Sequence, residues 1–200
     1  MPDRDQTEEA VEASRVIATN LNALNREMHV VAEWMRPEDW TRRNVPGTNL
    51  PGFTFWHIVR VIDSTAFMSL RGLPELIDSE PWASKKWARP GIGTGYTLEE
   101  ADETATRVVP AELVGYADAL RTAVSQWLRS VTDEELQAPS RLIERARALA
   151  AYNNQALIDS LRPLDGQPAW LVLSLAAFAH GWAHLEEIRL LVGVGRQATD

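Results

Sequence analysis

Three observations predict an all-α bundle. Apolar residues recur at alternating steps of three and four in several segments. No stretch of useful length alternates with the two-residue period of a strand. Capping residues, prolines and glycines bracket the periodic segments. Together these give four main helices, one shorter helix, and a long connection after the second. Two hundred residues suit one domain, spanning 1–200, and a hydrophobic fraction of 45% supplies a real core. No internal repeat, low-complexity tract or linker divides the chain.

The first periodic segment begins around Thr7 and ends before Pro37. Ile17, Leu21, Leu24, Met28, Val31 and Met35 form its apolar stripe. His29 lies beside that stripe, at a boundary or surface position. Pro37-Glu38-Asp39 reads as a break, and Arg42–Gly52, with Pro46-Gly47 and Pro51-Gly52, as turns. A second helix runs from about Gly52 to Leu70 and closes at Gly72. Phe53, Trp56, Val59 or Arg60, and Phe67 give it a broad apolar face. His57 lies one helical step from Phe53 and from Val61 and so can point into the same interior, although a lone histidine there is as readily a packed core residue.

Leu73–Thr97 follows, with three prolines, Gly91, Gly93 and Gly95, and the aromatics Trp82, Trp87 and Tyr96. No strand precedes the glycines and no Lys-Ser follows them, so a phosphate-binding loop is rejected. The stretch is a structured connection and a candidate lid or pocket wall, unless its tryptophans simply patch the end of the bundle. Thr97-Leu98-Glu99-Glu100 is a capping box. The helix it starts is interrupted at Pro110 and carries Leu113, Tyr116, Leu120, Val124 and Trp127 or Leu128 inward. Thr132-Asp133-Glu134-Glu135 caps a short turn. Another helix is expected over Ser140–Leu161, with Leu142, Ala146, Leu149, Asn153 and Leu157 on one side. Pro168 suits the first turn of the last helix, which is expected to run to Val192 and stop at Gly193 and Gly195.

Composition excludes several functions. A net charge of −8 with no basic cluster argues against nucleic acid. The chain has no cysteine, which removes disulfides, thiolate ligands and a cysteine nucleophile; any thiol chemistry has to bring its sulfur on a cosubstrate. The acidic stretch from Met1 to Glu9 is no signal peptide, and the apolar run Trp170–Ala179 is too short for a membrane span. A soluble cytoplasmic protein is the expectation.

The last helix contains Phe178-Ala179-His180-Gly181-Trp182-Ala183-His184-Leu185-Glu186-Glu187-Ile188. On a helix His180 and His184 project from one face, a spacing at which two imidazoles can hold one metal ion. A zinc peptidase needs Glu directly after the first histidine; Gly181 stands there. Two satisfied core histidines would share this spacing. His57 adds a third imidazole facing the same interior.

At this point the chain resembles the DinB-like family of metal-binding four-helix proteins. The block Phe55-Trp56-His57-Ile58-Val59-Arg60-Val61-Ile62-Asp63 resembles that family's second-helix motif, and His180 to Arg189 its closing His-x-x-x-His motif. Thr97–Glu100 and Ser130–Leu136 resemble its third helix and the end of that helix. The resemblance implies an up-down-down-up bundle with one divalent metal held by His57, His180 and His184. It also implies activities such as thiol-dependent S-transfer and isomerisation with bacillithiol, mycothiol or glutathione. The chain departs from the pattern at Glu186, where the family often has Gly, and in the length of Ser140–Leu161.

Three imidazoles leave the ion at least one open position and suit zinc or nickel, with iron or cobalt also served. The expected function is a metal-dependent transferase, isomerase or hydrolase acting on a small molecule. The competing reading is a non-enzymatic, stress-related bundle that binds a metal or small ligand or dimerises. Candidates to hold the imidazoles or touch substrate are Arg60, Asp63, Glu187, Trp82 and Trp87, with Glu186 a further carboxylate. Arg60 either meets an anionic substrate or pairs on the bundle surface. A di-iron site fails for want of Glu-x-x-His pairs. A homodimer through helix faces suits the fold type, though no residue specifies it.

Overall fold

The structure is a computed structural model describing residues 4–197. Met1–Asp3, where the acidic N-terminal stretch begins, lie outside the described residues. Helices dominate: α1 (Arg4–Trp34), α2 (Pro51–Ser64), α3 (Leu98–Arg107), α4 (Pro110–Leu128), α5 (Asp133–Gln137), α6 (Leu142–Ala148), α7 (Gln155–Leu161), α8 (Ala169–Val172) and α9 (His180–Gln197). Among the described residues no strand forms beyond one isolated bridge, Pro139 to Pro168. Among them, too, no helix is long and apolar enough to cross a membrane.

The long helices close a ring of contacts. α1 packs on α4 and α9, and α2 packs on α4 and α9. The α1 stripe is buried along its whole length, from Ile17 to Met35. α2 is apolar nearly all round, and every residue of it except His57 is buried, which makes it the central element. His29 sits at the edge of the bundle, its Nε2 2.9 Å from Asp118 on α4. Capping boxes start α3 at Thr97 and α5 at Thr132, and Pro110 opens α4 as a fresh helix rather than kinking α3.

Four helical expectations are corrected, three of them in the second and last helices. The second helix does not continue as plain α to Leu70: Thr65–Ser69 is a π-helical turn. The last helix is likewise broken by a π-helical stretch, Leu173–Ala179, lying between α8 and α9, and the two π stretches pack on each other. Nor does α9 end at Gly193. Neither Gly193 nor Gly195 adopts the positive φ that a glycine stop uses. At Gly195 the missing side chain instead leaves room for Asn44, whose amide group occupies the place a Cβ would take.

The single helix expected over Ser140–Leu161 is two short helices, α6 and α7, joined by a turn. Leu149 is exposed rather than buried, and Asn153 is also exposed. Tyr152 leaves the helical path to enter the core, and Asn154 restarts the chain by accepting a 2.9 Å bond from the Leu157 amide. Asn154→Ala is therefore expected to lower unfolding stability by about 1 kcal/mol in urea denaturation, while Asn153→Ala stays within about 0.5 kcal/mol of wild type. Equal costs at the two positions would contradict this capping assignment.

Candidate metal centre

The centre is built from α2 and α9, the pair that packs along the bundle core. One ring nitrogen from each of His57, His180 and His184 lies within 4.8 Å of the other two. The ring centroids are 5.1 Å apart from His57 to each partner and 4.4 Å apart between His180 and His184. His57 is packed beneath Phe53, the two rings nearly parallel. Gly181, next to His180, lets α9 approach closely: a Cβ there would lie 2.9 Å from Leu24.

Two of the imidazoles are held by a partner on their far side. His57 Nδ1 donates to the Ile92 carbonyl at 2.5 Å, and His184 Nδ1 donates to Glu187 at 2.6 Å. These bonds set the tautomer, so the Nε2 lone pairs face inward, as ligating histidines are usually arranged. His184 Nε2 lies 3.0 Å from His180 Nε2, and His180 Nδ1 is buried without a protein partner. Without a proton between them, two lone pairs at that separation repel; a shared cation relieves both. An all-imidazole set with these outward partners fits a divalent ion.

Electrostatics keep two of the three imidazoles neutral. Burial pushes His57 down to about 3, aided by neighbouring His180 and His184 and opposed by its bond to Ile92. Burial, then His184, pushes His180 down to about 4 despite nearby Glu187. Neutral imidazole is the ligating form, so protons compete weakly for these two nitrogens.

Beside the triad lies a cavity of about 240 Å³ that opens onto His57 and His180. Its floor is the two π stretches, represented by Thr65, Met68 and Leu175, and its far wall is α7, represented by Leu157. The long connection supplies Ile92 and Thr94. That connection approaches α2 closely at Gly93, where φ is +87° and a Cβ would fall 2.6 Å from the Phe53 ring.

The remaining sequence candidates lie elsewhere. Trp82 and Trp87 do not line the cavity. They pack on Tyr116 of α4, with centroids 5.2 and 5.4 Å from its ring, and Trp87 Nε1 donates to Glu112. Glu187 is the carboxylate that holds an imidazole; Glu186 pairs with Arg189 instead. Asp63 is committed to Arg60 rather than to a histidine.

Arg60 is neither on the surface nor at the cavity; it is completely buried. Its guanidinium donates to Asp63 at 2.7 Å, Glu75 at 2.6 Å, Tyr116 at 3.3 Å, Tyr152 at 3.1 Å and the Gly91 carbonyl at 3.2 Å. Asp63 also accepts from the Leu76 and Ile77 amides and from the Tyr116 hydroxyl, and Tyr152 donates to Glu75. Burial opposes the Arg60 charge, but Tyr116, Glu75, Tyr152 and Asp63 outweigh it and hold its pKa up. Glu75 is shifted upward by burial, only partly offset by Arg60. The contributions of Glu75, Tyr116 and Tyr152 to this network were not foreseen in sequence. Polar residues in apolar surroundings were the only local signal for them.

A family model described as the DinB superfamily matches residues 20–188. No curated protein matches the chain.

Two outcomes are expected. His57 and His180 stay neutral in the folded protein well below 6.5, whereas in the unfolded chain they charge near that value. Their folded pKa values are depressed, so the unfolded state takes up protons first and stability falls as pH drops from 6.5 towards 4. Replacing both with Gln should flatten the melting temperature of metal-free protein over that window; an unchanged slope would contradict the assignment. Arg60→Met is expected to cost about 3–5 kcal/mol in urea unfolding, because it strands Asp63 and Glu75 without a cation. A cost below about 1 kcal/mol would show that the buried carboxylates do not depend on it.

Proposed function

The chain belongs to the DinB superfamily, and from that premise we propose that it is a metal-dependent enzyme of the thiol-dependent transferase or isomerase type, or a hydrolase, acting on a small molecule. His57, His180 and His184 hold the ion. The observation that carries the reading is the cavity opening directly onto two of these three histidines, which leaves room for a reactant beside the ligand set. A closed structural site has no such space, so the same observation favours an enzyme over a non-enzymatic metal-binding bundle. The ring of contacts among α1, α2, α4 and α9 supports a bundle of long helices, and the up-down-down-up order is part of the proposed reading.

A bound divalent ion supplies Lewis-acid chemistry and lowers the pKa of water or a thiol. The protein's own groups supply position and environment. The Ile92 carbonyl and Glu187 orient two imidazoles, Phe53 covers a third side, and the aliphatic walls keep bulk water from the reactant. With no cysteine in the chain, a thiol reactant comes as cosubstrate. The imidazole set suits zinc or nickel first, then cobalt or iron.

Elemental analysis of tag-free protein after incubation with each ion tests the reading. Wild type is expected to hold about one equivalent, and His57→Ala, His180→Ala and His184→Ala each to lose it by at least an order of magnitude in affinity. Wild type that takes up none of the four ions would overturn the proposal.

A further inference from the structure

We propose that the cavity beside the triad selects a compact, uncharged, largely apolar reactant with one metal-binding head, and discriminates against acidic cosubstrates. The inference rests on the proposed function and names the class of molecule its site takes.

The argument is the composition of the wall. Apart from His57 and His180, no ionisable side chain of Lys, Arg, Asp or Glu lines the cavity among the described residues. The arginines next to the cavity are engaged elsewhere: Arg60 with five buried acceptors and hydroxyls in the neighbouring network, Arg145 with the Ser69 carbonyl, Arg162 with Asp159, and Arg71 over the Phe67 and Trp127 rings. Most hydroxyls in the wall are engaged as well: Ser64 donates to Val61, Ser160 to Leu157, Tyr152 to Glu75 and Ser69 to the Met68 sulfur, which leaves Thr65 and Thr94 as the neutral polar groups of the wall. The surface that faces the reactant is therefore chiefly Val61, Met68, Leu157, Leu161 and Leu175. A carboxylate carried into such a wall loses its hydration and gains no partner, the condition under which a charge is costly to bury. An alkyl or aryl group gains affinity there with every methylene removed from water. At about 240 Å³ the space is below the range of drug-sized pockets, so the reactant is small.

The test uses protein loaded with cobalt(II) under anaerobic conditions, with thiol binding followed by calorimetry and by the visible spectrum of the ion. Ethanethiol, butanethiol and hexanethiol are compared with mercaptosuccinate and glutathione. Affinity is expected to rise about fourfold per methylene along the neutral series, with both acidic thiols at least tenfold weaker than butanethiol. Leu175→Arg places a cation at a position 45% exposed on the cavity wall, where it can be added without disturbing the core. This variant is expected to keep its cobalt and to bind mercaptosuccinate at least tenfold more tightly than wild type does.

The proposal is overturned if acidic thiols bind wild type as tightly as butanethiol, or if cobalt-loaded protein shows no dependence on chain length. Failure to take up cobalt counts against the proposed function, not against the cavity's preference. In that case butanol, hexanol and octanol are titrated into metal-free protein, where a flat series overturns the inference and a rising one sustains it.

Discussion

A guanidinium with no access to water organises this protein. Arg60 reaches from the centre of α2 to carboxylates on α2 itself and on the long connection, to hydroxyls on α4 and on the turn before α7, and to the Gly91 carbonyl. Removing one charge from water costs several kcal/mol, and two carboxylates are buried with it, so the arrangement is stable only while every partner is in place. The network thereby determines where the connection over residues 73–97 can run, because that connection contributes both Glu75 and Gly91.

The consequence reaches the histidine cluster one residue further along. Gly91, held by Arg60, is followed by Ile92, whose carbonyl receives the His57 Nδ1 proton and whose side chain lines the cavity. Trp56, immediately before His57, ties the same connection from the other side by donating to the Trp87 carbonyl. The His57 imidazole is thus oriented by a backbone that a buried ion pair positions. The candidate centre is a product of the whole bundle and not of the two helices that carry the histidines.

The cavity has a local cause of a different kind. Two π-helical stretches lie against each other where α2 and α9 flank the histidines. Each π turn widens its helix and rotates the next turns out of the preceding register, a change often found beside functional sites. The wall so formed carries no charge: Met68, Leu175 and Ala176 line it together with the neutral hydroxyl residues Thr65 and Ser69. Its lack of charge distinguishes it from the neighbouring Arg60 network, although Tyr152 belongs to both.

By itself the sequence determined the helical class, the buried stripe of α1, the caps at Thr97 and Thr132, the interruption at Pro110 and the His180/His184 pair. Each of these rests on spacing within a few residues, where helix geometry alone dictates which side chains share a face. Tertiary structure decided the rest. Local reasoning left Arg60 between a substrate and the surface, because its partners lie as far as 92 residues away. It joined α6 and α7 into one helix, because the pull on Tyr152 comes from Arg60 and Glu75 across the fold. It missed both π stretches, since an inserted residue leaves the apolar composition intact while shifting its phase. It left Trp82 and Trp87 between the pocket and the end of the bundle, because their packing partner Tyr116 is supplied by another helix. Short-range periodicity is written into the chain, but the partner of a buried charge or ring is chosen only when distant segments meet.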